Sequence, residues 1–302
     1  MSEKKQQNAY TKSLTEIKFT GWKTILLRVK DQIGENNVGI VSAGVAFYAF
    51  LAIFPALMAL ISIYGLAMDP DNVQKQISQL STMMPDEAFD IVKQQIENFT
   101  ATSGKALSWG TALGILFSLW SSNKGTKSLF VGVDIAYNTE KTRGFIKQNV
   151  ITLLFTFGAI ILLILSMVLI VVFPALVDQL GLPSQIENLI TWLRWVILAI
   201  LVVFFLSLVY KFAPARPNPT FRMVFPGALL ATLLWLIVSS GFSYYVSNFG
   251  SYGEVYGSIS AVVILMLWLL LTSWMVILGA ELNSETEYFT KNSGKSPGES
   301  AE

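Results

Sequence analysis

Long apolar stretches separated by shorter polar ones dominate the chain. Val38 to Met68 carries no charged residue and exceeds the roughly 20 residues that a membrane-spanning helix needs. Further apolar stretches cover about residues 106–123, 148–177, 190–210, 223–250 and 256–281. The pattern predicts an all-α, polytopic membrane protein with six transmembrane helices, the first at about 38–68 and the last ending at Glu281.

The segments outside these spans have three different patterns. Within residues 1–37, apolar residues recur at helical intervals with cations between them, which predicts an amphipathic helix lying at an anionic membrane surface. The alternative is a helix packed on the protein's own loops. Residues 69–105 predict a helical hairpin outside the bilayer, and residues 284–302 predict a disordered tail. The apolar face of the N-terminal helix comprises Leu14, Ile17, Trp22, Ile25, Val29 and Ile33.

Lys and Arg are distributed unevenly between the two sides that six spans define. Seventeen lie in the two terminal segments and in the second and fourth loops, and four lie on the other side. Cytoplasmic loops carry an excess of Lys and Arg, so both termini are predicted to be cytoplasmic. The same rule places the 69–105 hairpin outside the cytoplasm.

Composition narrows the function. The chain is 53% hydrophobic and 14% charged, whereas a soluble domain carries about 25% charged residues. It has no Cys and no His, which removes thiol chemistry, zinc–thiolate sites and the commonest metal ligand and general base. We therefore expect no enzyme activity, no metal and no cofactor. A net charge of +1 without a basic patch predicts no nucleic-acid partner.

One candidate site lies at the cytoplasmic side of the last span. Glu281 follows the apolar run directly, and the end of a helix is unfavourable for an anion. We expect Glu281, with Asn283, to form an ion-pair clamp with cations of the second or fourth loop, and Asp134 to face Arg143 or Lys127. There are two alternatives for Glu281. The ion pair could open as a gate or bind a headgroup, or the carboxylate could simply be solvated. The candidate cations are Lys124, Lys127, Arg143, Lys211, Arg216 and Arg222.

A second candidate site is a cavity or lipid contact. Trp120, Ser122 and Asn123 end the short second span, and short or interrupted spans point to transport sites. The alternative is a helix C-terminus capped by polar residues. Tyr48 and Pro55 of the first span are assigned to the same cavity. Glu254 is a further candidate, unless it lies in a wet outer turn.

Three stretches together resemble the YihY/BrkB family of bacterial inner-membrane proteins. They are "SAGVAFYAFLAIFPAL", "LWSSNKGTKSLFVGVDIAYNTEKTRGF" and "YGEVYGSISAVVILMLWLLLTSWMVILGAELNSE". The resemblance implies six helices in the bacterial cytoplasmic membrane. It also implies a role in moving lipids or lipid-linked material, and it brings an older ribonuclease label.

Two functions follow as hypotheses. The first is a transporter or flippase-like protein for lipids or other amphipathic molecules, and the second is a scaffold whose 69–105 hairpin meets an envelope protein partner. A ribonuclease is disfavoured, because metal-dependent hydrolysis needs clustered carboxylates, often with His. The acidic pairs Asp69/Asp71 and Asp86/Glu87 lie on the side away from cytoplasmic RNA.

Overall fold

Helices account for nearly all of the chain that the computed structural model describes, namely residue 17 and residues 19–67, 109–139, 143–173, 177, 183–216, 220–249 and 259–292. The helices are α1 (Phe19–Glu35), α2 (Val38–Ala67), α3 (Trp109–Ala136), α4 (Phe145–Met167), α5 (Ser184–Phe212), α6 (Phe221–Phe249) and α7 (Ile259–Asn292). A π-helical turn, Val168–Val172, continues α4.

Four of the helices are long and apolar enough to cross a membrane. The candidate spans are Phe145–Ile170, Trp192–Phe212, Phe221–Val246 and Ser260–Thr290, in α4 to α7. A fifth is added if α1 and the first part of α2, which are bent by 66° at a short break, form one broken span. Asn37 lies in that break with a φ of 49°, a backbone conformation that Asn tolerates better than most residues.

The last helix, α7, is the centre of the fold. It packs against α1, α2, α3 and α6, while α2 also packs along α3 and α5 along α6. The core where these helices meet includes Phe130 of α3, Tyr210 of α5, Val224 of α6 and Ile277 of α7. By contrast, α4 is joined mainly to α3 and touches α5 only slightly.

Two predicted helix ends are wrong. The second predicted span was to end at Asn123, but α3 runs without interruption to Ala136. The "WSSNKG" stretch is therefore the middle of a helix and not a capped C-terminus. The last helix was to end at Glu281 with a disordered tail from residue 284, but α7 continues to Asn292. Leu278, Leu282 and Phe289 explain the extension, because they continue one apolar stripe that packs on α1.

The sequence left open whether the apolar face of the N-terminal helix contacts the membrane or the protein, and the packing of α1 shows where that face lies. Its apolar residues Ile25 and Val29 are buried against Leu282 and Phe289 of α7, so this face packs on the protein, although on a helix and not on loops. The predicted hairpin at 69–105 lies outside the described residues, as does the start of the predicted span at 106–123. The count of six spans stays a prediction.

Candidate functional site

The helices α6 and α7 cross at a pair of glycines. A Cβ added to Gly279 would lie 2.6 Å from the carbonyl oxygen of Gly227 and 2.5 Å from the hydroxyl oxygen of Tyr210. The Tyr210 hydroxyl donates a hydrogen bond of 2.6 Å to the carbonyl oxygen of Val276. Small residues of this kind let two helix backbones approach closely, so the crossing has no room for a side chain at either glycine.

Asn283 fixes the same crossing one turn further along α7. Its side-chain oxygen accepts a hydrogen bond of 2.8 Å from the backbone N–H of Gly227, and its amide nitrogen donates one of 2.9 Å to the carbonyl oxygen of Val224. Asn283 is 1% exposed. The predicted role for Asn283 in a clamp therefore takes the form of a bridge to the α6 backbone, with no charged partner.

Glu281 has a different partner from the cations predicted for it. It is 1% exposed, and Asn36, in the α1–α2 turn, donates a hydrogen bond of 2.8 Å to its Oε1. The expected ion pair of Glu281 with cations of the second or fourth loop is thus corrected to a hydrogen bond from an uncharged side chain. The reason for expecting a cation also changes, because α7 extends eleven residues past Glu281 and the carboxyl is not at a helix end.

Ion pairs do hold the end of α7, through two residues that were assigned to a disordered tail. Glu285 pairs with Arg28 of α1, and Glu287 pairs with Arg216 of the α5–α6 connection. The guanidinium of Arg28 also lies 4.2 Å from the centroid of the Tyr288 ring, and that of Arg216 lies 3.9 Å from that of Tyr137. Of the cations predicted to pair with Glu281, Arg216 does pair with a carboxylate of α7. That carboxylate belongs to Glu287, about two turns beyond Glu281.

The other predicted cations hold different partners. Arg143 donates hydrogen bonds of 2.9 and 2.7 Å to the carbonyl oxygens of Ala213 and Pro214. Asp134 accepts one of 3.2 Å from the backbone N–H of Ala215. Burial raises the pKa of the Asp134 carboxyl, and this hydrogen bond and the charge of Arg143 partly offset the rise. Together Arg143 and Asp134 fix the α5–α6 connection. Lys124 and Arg222 are exposed, and the ammonium of Lys211 lies 3.9 Å from the ring centroid of Phe221.

A row of polar side chains lies between α3 and α4, which we call the polar row: Asn123, Thr126, Lys127, Asn149, Thr152 and Thr156. The ammonium of Lys127 donates a hydrogen bond of 2.6 Å to the side-chain oxygen of Asn149. The Thr156 hydroxyl lies 2.7 Å from that of Thr126 and 3.2 Å from the side-chain oxygen of Asn123.

The deep end of the polar row is the most buried part. Asn123 and Thr152 are 0% exposed and Thr156 is 5% exposed. The side-chain nitrogen of Asn123 has no hydrogen-bond partner within the described part of the chain. A buried donor without a partner is costly, so this end of the row offers a free hydrogen bond to a bound group.

An apolar cleft of about 360 Å³ opens on the other side of α4, between α4 and α5. Ile151, Leu154, Phe155 and Gly158 line it from α4, and Phe205, Leu208 and Phe212 from α5. All of these residues belong to candidate membrane spans. The cleft therefore offers an apolar ligand a surface at membrane depth.

The predicted cavity residues that the structure describes lie on α2 and α3, which pack together: a Cβ added to Gly125 would lie 3.4 Å from the carbonyl oxygen of Tyr48. Ser122 and Asn123 are buried, but Ser122 donates its hydroxyl to the carbonyl oxygen of Leu119 in its own helix. Tyr48 is 45% exposed, Trp120 is 54% exposed and Pro55 is half-buried in α2. Glu254 lies outside the described residues. Of this set, Asn123 alone belongs to the polar row.

The sequence analysis did not identify the polar residues that accompany Asn123 in the polar row, or the hydrogen-bond donor to Glu281. Thr126, Asn149 and Thr156 are spaced along α3 and α4 so that they face each other, which single-helix patterns do not reveal. Asn36 was treated as part of a polar segment before the first span. Arg28 was assigned to a lipid surface. No group of three or more His, Cys, Asp or Glu side chains with the geometry of a metal site occurs among the described residues.

Comparison with related proteins also indicates a membrane protein. A family model described as virulence factor BrkB matches residues 29–302. The chain belongs to the virulence factor BrkB family. The ribonuclease-like protein YfkH of Bacillus subtilis (strain 168) is 30% identical over 250 residues, which cover 80% of this chain and 88% of YfkH.

Two further relatives carry the name UPF0761 membrane protein. PSHAa0171 of Pseudoalteromonas translucida is 26% identical over 254 residues, or 83% of this chain and 81% of the relative. The xcc-b100_3490 protein of Xanthomonas campestris pv. campestris (strain B100) is 43% identical over 82 residues, or 27% and 19%. No solved structure matches the chain. This BrkB-family chain is therefore an integral membrane protein with several apolar helices.

Proposed function

We propose that this BrkB-family protein is a transporter or flippase-like protein for lipids or other amphipathic molecules, in the bacterial cytoplasmic membrane. The observation that carries the proposal is the polar row between α3 and α4. The α4 members of the row lie within the candidate span Phe145–Ile170, where polar side chains are costly and commonly mark the path of a polar group. The row combines the cation Lys127 with hydroxyl and amide groups, which suits a phosphate-containing or sugar-containing headgroup.

The length of the polar row supports movement across part of the membrane. Asn149 and Thr156 are seven residues apart on α4, which is about 10 Å along a helix, or about a third of a hydrocarbon core of roughly 30 Å. Lys127 and Asn149 lie toward the basic end of the row, and Asn123 lies at its buried end. A headgroup entering beside Lys127 would thus find hydrogen-bonding groups as it moves inward.

The cleft between α4 and α5 supports an amphipathic ligand over a purely polar one. The seven residues that line it are all apolar or glycine, and Leu154 is 65% exposed. One helix, α4, therefore carries polar contacts on its α3 side and an apolar surface on its α5 side. An acyl chain beside α4 would stay in apolar surroundings while its headgroup meets the polar row.

The membrane arrangement belongs to the same proposal: six spans, with both termini in the cytoplasm and α1 at the surface of the anionic leaflet. The face of α1 that does not pack on α7 supports this position. It exposes Phe19, Leu26 and Leu27 together with Lys23 and Lys30. Apolar and cationic side chains on one exposed face are typical of helices that lie in the headgroup region.

The test is lipid movement in reconstituted vesicles. Full-length protein is placed in liposomes that contain a phospholipid with a fluorescent headgroup, and a membrane-impermeant quencher reports how fast the label changes leaflets. We expect faster exchange than in protein-free liposomes. Thr126→Val with Thr156→Val, which removes two hydroxyls without changing side-chain volume greatly, is expected to slow exchange about tenfold or more.

A matched control comes from α4 itself. Ser166→Ala also removes a hydroxyl, but that hydroxyl donates to the carbonyl oxygen of Leu162 within the helix. The Ser166→Ala rate should equal that of the unchanged protein. Exchange no faster than in protein-free liposomes, for anionic, zwitterionic and lipid-linked sugar probes alike, would refute the proposal.

Two other readings make distinct predictions. A scaffold would use the 69–105 hairpin, which lies outside the described residues, so no observation favours it. A specific protein crosslinked to that segment would support a scaffold.

We also propose that the chain is not an enzyme, against the ribonuclease-like name of YfkH. RNA hydrolysis by the purified protein with Mg²⁺ or Mn²⁺ would contradict this.

A further inference from the structure

Glu281 is the most deeply buried carboxyl among the described residues. It is 1% exposed, compared with 4% for Glu285 and 9% for Glu287. Its Oε1 accepts the hydrogen bond from Asn36, and its Oε2 has no partner in the described part of the chain. A carboxylate in such a place would lack the two or three donors that normally stabilise a buried charge.

In the described part of the chain, the two cations that pair with α7 near Glu281 do so through other carboxylates. Arg28 of α1 is paired with Glu285, and Arg216 of the α5–α6 connection is paired with Glu287. On α7 itself, Glu285 lies four residues from Glu281, where two negative side chains repel each other. From the other elements, Asn36 of the α1–α2 turn donates its hydrogen bond to Glu281, and the buried side chain of Tyr137, just after α3, interacts electrostatically with it.

We propose that Glu281 is a proton-binding site, protonated in the structure described here, and that its proton keeps the α1–α2 turn seated on α7. Protonated Glu281 still accepts the Asn36 hydrogen bond at one oxygen, and it carries no charge that burial would penalise. This proposal goes beyond the proposed lipid movement and does not depend on it.

Loss of the proton has a defined structural effect. The proton passes to cytoplasmic water, and Glu281 becomes an unpaired buried carboxylate one turn from the carboxylate of Glu285. Water must then reach Glu281, or Arg28 must be drawn from Glu285 toward it. Either change loosens the contact of the α1–α2 turn with α7, so protonation of one carboxyl couples pH to the packing of the N-terminal helix.

The direct test is infrared spectroscopy of the full chain in lipid nanodiscs, titrated from about pH 5 to about pH 9. A protonated carboxylic acid has a C=O stretching band separate from the bands of amides and carboxylates. We expect such a band, lost as the pH rises, in the unchanged protein, and we expect Glu281→Gln to lack the part of it that Glu281 contributes. Glu285→Gln removes a carboxylate that is already ion-paired, so it should keep the band and serves as the matched control.

A second measurement reports the packing. The chain has no Cys, so spin labels can be attached at Lys30→Cys on α1 and Leu229→Cys on α6, both exposed positions. The distance distribution should broaden as the pH rises in the otherwise unchanged chain, and it should stay narrow with Glu281→Gln. Glu281→Asp, which keeps a carboxyl in the site, should retain a titrating band and covers the case in which Glu281→Gln does not fold. Absence of the band, or a band in Glu281→Gln as strong as in the unchanged protein, would overturn the proposal.

Discussion

The two sides of this bundle are held together by different means. On one side, α6 and α7 cross with their backbones in contact at Gly227 and Gly279, and Asn283 bonds directly to the backbone of α6. On the other side, α4 is joined to α3 through side-chain hydrogen bonds of the polar row and leaves a cleft toward α5. The comparison indicates that the α6–α7 junction is a fixed frame, and that α4 is the helix with room for a ligand.

The largest effect is expected at the glycine crossing. Gly279→Leu would drive a side chain into the carbonyl oxygen of Gly227 and the Tyr210 hydroxyl, so it should destabilise the protein by more than about 3 kcal/mol or prevent folding. Unfolding in mixed detergent micelles measures it. Gly241→Leu on α6 is the control, because nothing lies within 4 Å of a Cβ at that position. Equal stability of Gly279→Leu and Gly241→Leu would contradict a fixed α6–α7 junction.

The next effect should come from the buried ion pair at the end of α7. Arg216→Ala removes one side of a buried ion pair with Glu287, which should destabilise the protein by about 3 kcal/mol. Arg28→Ala breaks the pair with Glu285, but the Arg28 side chain is 39% exposed, so the loss should be about 1 kcal/mol or less. The two variants are compared in one chemical denaturation series. A larger loss with Arg28→Ala would contradict the ranking.

A small effect on stability is expected in the polar row. Thr156→Val removes the hydroxyl that contacts Thr126 and Asn123, and hydrogen bonds between membrane helices contribute roughly 0.6 kcal/mol on average. The expected loss of stability is therefore several-fold smaller than at the glycine crossing, while lipid exchange is slowed. Should Thr156→Val unfold the protein as readily as Gly279→Leu, the polar row would belong to the frame and not to a ligand path.

The smallest effect concerns pH and Asp134. Burial raises the pKa of this carboxyl in the folded protein above its ordinary value of 3.8, so the folded state favours the protonated form. Its favourable contribution is complete below pH 3.8 and is lost as the pH rises through the higher folded pKa. Asp134→Asn should remove this dependence in unfolding measured across that acidic range. An unchanged pH profile would show that other groups cause it.

The hydropathy pattern predicted the positions of most helices but few of the contacts between them. The apolar stretches predicted α6 to within two residues at each end, and α5 and α4 with its π-helical turn to within six, because a bilayer demands uninterrupted apolar length. The continuation of α3 through "WSSNKG" was missed, since polar residues that bond to a neighbouring helix resemble those that end a helix. The extension of α7 was missed because the C-terminal segment was taken as one Ser/Gly/Pro-rich tail, and the partners Arg28 and Arg216, which pair with the buried Glu285 and Glu287, lie far away in the sequence.

The candidate site shows the same limit more strongly. Asn123 was identified from the polar end of an apolar run, but Thr126, Asn149 and Thr156 are ordinary helix residues until α3 and α4 are placed side by side. A cationic partner for Glu281 was inferred from charge alone. Asn36, which donates a hydrogen bond to Glu281, lies in the short break where the chain bends by 66° between α1 and α2. Contacts between distant helices depend on the geometry of the whole bundle.

The contact between Asn36 and Glu281 joins residues 245 positions apart. A ribosome making this protein therefore finishes α1 long before the helix that covers Ile25 and Val29 has been synthesised. During that interval the apolar face of α1 lacks the helix that covers it in the finished protein. Synthesis of α7 supplies that helix, so a chain that stops before Leu282 would leave Ile25 and Val29 without their contacts on α7.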